Sequence, residues 1–216
     1  MTRLASAVLA AALLLTAPLA LRAQNSVPAG QGDAFKDTSM LKLPPGDRAV
    51  IIEWEDLECP ACARAYPIVH TAIEHYKIPL LRHDFVIPGH IWSRDAEITA
   101  RYLQDKVSPE TAAQYRGDVF SNQANIASKD DLQAYTQQWF QQHHLQMPFV
   151  MDPSGRFAAE VEADVTLAQR LGLRETPTII VVGPHGWTQV KDVTQLYSVI
   201  DATLAESPAH RTTAKR

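Results

Sequence analysis

The chain has 216 residues, 46% hydrophobic and 20% charged, with a formal net charge of −4. That is enough apolar material for one well-cored domain with room for an insertion, and it excludes a chain disordered by composition. A phosphate-binding surface needs a basic excess or patch, so the acidic balance points away from a nucleic-acid partner.

Residues 1–23 read as a secretory signal. Arg3 supplies a positive start, Leu4 to Leu15 is an uncharged apolar run, and small residues between Pro18 and Ala23 suit cleavage after Ala20 or Ala23. The alternative is an uncleaved anchor, because Leu4 to Leu21 approaches the length of a bilayer span. Cleavage would remove Arg3 and Arg22 and no acid, leaving a more acidic exported chain. No cysteine precedes Cys59, so no lipid attachment beside the signal is available. Export places the chain in an oxidising compartment where disulfides persist.

Residues 24–47 carry Pro28, Gly30, Gly32, Pro44, Pro45 and Gly46 with little periodicity and read as a linker or irregular arm. Ala49 to Trp54 is a short β-branched run fit for a buried strand. From Cys59 to Lys77 the apolar residues Ala61, Ala65, Ile68, Val69, Ala72, Ile73 and Tyr76 recur at helical spacing. Pro60 stands in the first turn, where its missing N–H costs nothing, and Pro67 is expected to kink the helix. Ile78 to Ile87 reads as a second strand, so this strand-helix-strand unit predicts a parallel pair.

A helical block follows over about residues 93–150: Arg94 to Lys106, then Ser108 as N-cap with Pro109 behind it, then a run opened by Asp130 or Asp131 and reaching His143. Ser154 to Leu171 is a further helix, stopped by Gly172, with Glu162 and Asp164 expected to face outward. Thr176 to Val182 reads as a strand, Gly183 to Gly186 as a turn, Trp187 to Lys191 as the hairpin partner, and Thr194 to Ala205 as a closing helix. The order predicts an α/β fold with a helical insertion, a domain over 48–206 and a tail over 207–216.

Chemistry concentrates in the run Cys59-Pro60-Ala61-Cys62. As a structural staple it would close so short a loop that the chain-entropy gain is only about 2 kcal/mol, against roughly 3 for a 15-residue loop. Between a strand and the first turn of a helix, however, Cys59 meets unpaired backbone N–H groups and the helix dipole, which favour its thiolate. Cys62, one turn along and deeper, then serves as the resolving thiol. Metal binding is the competing use of two such cysteines, but the eight histidines do not cluster at ligand spacing and no second pair exists, so no metal site is assigned. His70, His75, His143 and His144 read as solvated or interface residues. Glu53 is either a strand-end glutamate or a buried acid able to exchange a proton with Cys62. Glu55, Asp56 and Glu58 read as a solvated acidic loop.

These features together resemble the thioredoxin superfamily, specifically its DsbA-like branch, whose members introduce disulfides into exported proteins. The resemblance rests on the strand Ala49 to Trp54, the Cys59-Pro60-Ala61-Cys62 run, Pro67, the insertion from about Ser93, and Gly172 to Thr178, and covers about residues 48–206. It implies a thioredoxin-like fold with a central mixed sheet and a helical insertion. It also implies Cys59 as the attacking cysteine, Cys62 as its buried partner, Glu53 as the family's buried acid and Pro177 as its cis-proline, with Thr176 before it offering backbone groups to a client peptide. No cofactor is implied. The implied partners are reduced exported polypeptides and a membrane-bound redox protein, with the chain working as a monomer in the periplasm or another extracytoplasmic space. One departure stands in the active loop: Ala61 occupies the position where strong oxidants of the branch carry histidine. The same residues leave open a disulfide reductase or isomerase, or a non-catalytic peptide- or metal-binding module. His90, in Pro88 to Trp92, reads as a satisfied structural histidine.

Overall fold

The computed structural model describes residues 26–28 and 35–206. The signal at 1–23 and the tail at 207–216 lie outside the described residues. Among the described residues no helix is long and apolar enough to cross a membrane.

Five strands form one mixed sheet: β1 (Ser26–Pro28), β2 (Val50–Glu55), β3 (Leu80–Asp84), β4 (Thr178–Gly183) and β5 (Gly186–Val190), in the order β1-β5-β4-β2-β3. The predicted parallel pair is present as β2 and β3, and β4 runs antiparallel to β2 and β5. Ser26–Pro28, within the arm expected to be irregular, pairs antiparallel with β5. Nothing in those three residues signals a strand, since the pairing is supplied by β5's free edge. From Phe35 onward the arm is tied down too: Lys36 N–H donates to the Leu171 carbonyl, Phe35 packs on Trp187, and Leu41 is buried.

Alternation along the strands splits the core in two. Ile51, Ile179 and Val181 face α1 (Pro60–Tyr76) and α6 (Leu196–Ala205), meeting Ala65, Val69, Ala72, Leu196 and Ile200. Ile52, Trp54, Ile180 and Val182 face α5 (Arg156–Leu171) through Ala168 and Leu171. Helix α1 runs on through Pro67 and stops at Lys77, which takes a left-handed backbone conformation at φ 53°.

The insertion consists of α2 (Ser93–Lys106), α3 (Pro109–Asn122) and α4 (Lys129–Gln142). Ser108 caps α3 as the sequence suggests, its hydroxyl accepting from Thr111 N–H. Helix α4 opens at Lys129, a residue or two before the predicted Asp130 or Asp131, and Ser128 is its cap. Its hydroxyl accepts from Asp131 N–H while the Asp131 carboxylate accepts the Ser128 O–H, a reciprocal arrangement that puts both acids inside the first turn. Leu103, Tyr115, Val119, Trp139 and Phe140 fill the insertion's core, and Leu57, Cys59, Cys62 and Trp92 belong to the same apolar cluster. The two cysteines therefore lie on the seam between the sheet's helices and the insertion.

Candidate active site

Cys59 is the N-cap of α1, in extended conformation, and Pro60 and Ala61 open the first turn. Both cysteines are free thiols. Cys59 is 8% exposed and Cys62 1% exposed, so the outer sulfur alone is within reach of another molecule. The Thr176–Pro177 peptide bond is cis, and the Cys59 thiol donates to the Thr176 carbonyl at 3.4 Å across 117 residues of sequence. Thr176 and Pro177 are partly exposed beside it. A groove of about 370 Å³ is lined by Phe35, Lys36, Leu173, Arg174, Glu175 and Lys191.

The two thiols are electrically unlike. Cys59 is held down to about 5 from an ordinary 9.0, chiefly by a hydrogen bond from the Cys62 thiol, against the opposing effect of burial, with help from the Thr176 side chain and the backbone amides of Cys62 and Ala61. Burial, and then the Cys59 sulfur beside it, push Cys62 far above its usual range. Such a pair presents one thiolate outward and keeps one protonated thiol beneath it.

Glu53, on β2, is 1% exposed, and its Oε2 has no partner among the described residues. Burial, then the charge of Glu55, push its carboxyl up to about 8, with Arg82 and Arg116 pulling the other way. Of the two positions open to Glu53, strand end or buried acid, the fold gives it the buried one.

The acidic run beside the cysteines is not a solvated loop. Glu55 and Asp56 are fully buried and Glu58 partly so. The Asp56 carboxylate accepts from Glu58 N–H at 2.8 Å, Ile87 N–H at 2.7 Å and His90 Nδ1 at 2.7 Å, which makes His90 a satisfied structural group. Glu58 accepts from the N–H groups of Trp92 and Ser93, covering the start of α2. Gln123 donates to the carbonyls of Leu57 and Cys59. Thus every acid of the run has a partner that positions the active loop.

Beneath it lies a buried ion network. Arg116, 2% exposed on α3, donates to Glu55 at 3.0 Å, to Asp84 at 2.7 Å and to Glu97. Glu97 in turn accepts from Leu57 N–H at 3.0 Å. Arg101 reaches Asp84 at 2.6 Å and also Asp164. Asp164 accepts from His83 Nδ1 and from Asp84 N–H, so it faces inward, contrary to its expected outward position, while Glu162 is exposed as expected. Against the cost of burial, Arg116 and Arg101 hold Asp84 well below the usual carboxylate range, and burial raises Glu97 well above it. His70, expected to be solvated or at an interface, is half-buried against Tyr66 and Arg82. Burial and the Arg82 charge lower it to about 4, so it is neutral at pH 7. Among the described residues no three His, Cys, Asp or Glu side chains are grouped to hold a metal ion.

A dithiol at the start of a helix, faced by a cis X-Pro bond across a mixed sheet and roofed by a helical insertion, defines a thioredoxin-fold dithiol protein. The chain belongs to the thioredoxin family, whose match spans residues 47–202. No curated protein matches the chain in sequence. Among solved structures it is similar to α-DsbA1 of Wolbachia pipientis, at 15% identity over 78% of this chain and 96% of that one, with a TM-score of 0.61. It is also similar to DsbA2 of Pseudomonas aeruginosa, at 17% identity over 74% and 96% of the two chains, with a TM-score of 0.54. A periplasmic thioredoxin-like protein of Salmonella enterica serovar Typhimurium is similar at 14% identity over 74% and 87%, with a TM-score of 0.59. These likenesses are of fold: the chain carries the thioredoxin-like sheet with the insertion seen in DsbA proteins.

Proposed function

We propose that the protein is an exported, periplasmic thiol:disulfide oxidoreductase that forms disulfides in reduced client polypeptides through the Cys59–Cys62 pair. The observation that carries this reading is the opposed state of the two sulfurs, an outward Cys59 held as thiolate near pH 7 and a buried Cys62 held as thiol. A stabilised thiolate makes the reduced pair the favoured product, which drives transfer of the disulfide to a client.

In the oxidised protein a client thiolate attacks the Cys59 sulfur. The Cys59–Cys62 bond breaks, its electron pair goes to Cys62, and Cys62 takes up a proton, for which Glu53, buried on the sheet face that α1 covers, is the donor in this reading. A second client thiolate attacks the client sulfur of the mixed disulfide, forming the client disulfide and releasing Cys59 as thiolate. The client loses two electrons and the protein pair gains them. The Thr176 backbone receives the client as an extended strand. A membrane-bound redox partner then reoxidises the pair, and the chain acts as a monomer. Run in the opposite direction, the same exchange is that of a reductase.

The test is single-turnover oxidation of a reduced, unfolded disulfide protein by the oxidised chain. Transfer is expected to be stoichiometric and to vanish in Cys59→Ala. Full activity in Cys59→Ala would sink the proposal.

A further inference from the structure

Glu53 and Glu55 stand two residues apart on β2, so both project from the same face of the sheet, the face covered by α1. Each is 1% exposed. Their surroundings differ. The Oε1 atom of Glu55 accepts from Arg116 Nη1 at 3.0 Å and lies 2.9 Å from Arg82 Nε in an ion pair. Among the described residues neither guanidinium forms an ion pair with Glu53, although Arg82 is its direct neighbour in the β2–β3 register. The other groups around the pair are Cys62, Tyr66 and His70 on α1, Glu97 on α2, and Asp84 with Arg101 beyond it. On the β4 side the apolar Ile179 lies opposite Glu53.

We propose that Glu55 is a positioning residue for disulfide exchange: of the two carboxyls it alone is in contact with Arg82 and Arg116, and so leaves Glu53 as the carboxyl that carries the exchangeable proton. Of two adjacent carboxyls in one buried site, a charge on one disfavours a charge on the other, and contact with cations favours the charged form. Because Arg116 comes from α3, the helical insertion thereby sets the protonation state of a group on the central sheet. The inference rests on the role proposed above for Glu53 and adds how that role is assigned.

The experiment follows the isotope-labelled glutamate carboxyl resonances of the full-length reduced protein across pH, with Glu53 identified by the signal lost in Glu53→Gln. In Glu55→Gln the neighbouring carboxyl becomes a neutral amide while Arg116 keeps Asp84 and Glu97, and Glu53 is expected to titrate at least about one unit lower, a tenfold or larger fall in proton affinity. In Arg82→Gln, on the partly exposed edge strand, one opposing cation is gone and Glu53 is expected to titrate higher than in the parent. Opposite shifts support the proposal. A Glu53 midpoint that stays put in both variants, or moves the same way in both, overturns it, since a merely structural Glu55 would change thermal stability and leave that midpoint in place. Should Glu55→Gln fail to fold, the direction of the Arg82→Gln shift decides alone. Thiol-driven reduction of oxidised Glu53→Gln is measured in parallel. An unchanged rate there removes Glu53 from the exchange reaction without touching the carboxyl result.

Discussion

Replacing Cys62 by alanine removes the leading support of the Cys59 thiolate and leaves its other partners in place. In the parent the Cys59 thiol titrates at about 5, with the Cys62 hydrogen bond ranking first among the causes. A hydrogen bond to a charged group contributes about 1.5–3 kcal/mol, and one pH unit corresponds to about 1.4 kcal/mol. The Cys59 midpoint in Cys62→Ala is therefore expected to rise by about 1–2 units. Cys62→Ser, which keeps an O–H donor, should stay near the parent value. Stability follows with a definite sign. The folded thiol titrates below the unfolded one, so its contribution is present above the unfolded value of about 8.5 and is lost as pH falls toward the folded midpoint. The reduced parent keeps part of that contribution down to about 5, whereas Cys62→Ala loses it one to two units sooner. Thiolate ultraviolet absorbance against pH, paired with denaturant unfolding of the reduced proteins, measures both effects. A Cys62→Ala protein still titrating at about 5 would refute the reasoning and hand the thiolate to the backbone amides of Ala61 and Cys62.

Arg116→Met leaves Glu55, Asp84 and Glu97 around an apolar side chain, and breaking a buried ion network from one side costs about 3–5 kcal/mol. Denaturant unfolding at neutral pH should show that loss, and a loss below about 1 kcal/mol would contradict the network's role. Ser128→Ala removes the α4 cap and should lower unfolding free energy by about 0.5–2 kcal/mol, with no change expected in the Cys59 midpoint. Glu53 titrates at about 8 in the fold against an ordinary 4.5, so it contributes stability in acid that is lost as pH rises through that window. Glu53→Gln should flatten the fall in stability between about 4.5 and about 8, and an unchanged slope would argue against the raised carboxyl.

The elements with strong periodicity were legible: β2 from its β-branched run, α1 from its apolar spacing after Pro60, α5 from the stop at Gly172, which takes φ 90° at the helix end. The short edge strand β1 was not, because its hydrogen bonds come from β5 rather than from its own three residues. Of the candidate site, the two cysteines and Glu53 were singled out from the sequence and Thr176 and Pro177 from the resemblance, while the ion network was not. Its members come from β2, β3, α2, α3 and α5, and only the tertiary fold collects them. One signal was available. On α3, Arg116 sits beside Tyr115, four residues after Ala112 and three before Val119, all three buried, so it falls on the apolar stripe. A charge in that position needs a buried counter-charge. Glu97, between Ala96 and Ile98 on α2, carries the same message. The acidic residues 55, 56 and 58 looked like a solvated loop because run composition does not reveal the insertion that closes over them.

The central claim, that the chain donates its disulfide, is tested most directly by the reduction potential of the Cys59–Cys62 pair. Equilibration across glutathione redox ratios can be followed by tryptophan fluorescence, with Trp92 in the same apolar cluster as both sulfurs. A potential above about −200 mV, in the range of disulfide donors, is the predicted result. A value below about −270 mV would contradict it and place the pair with reductants.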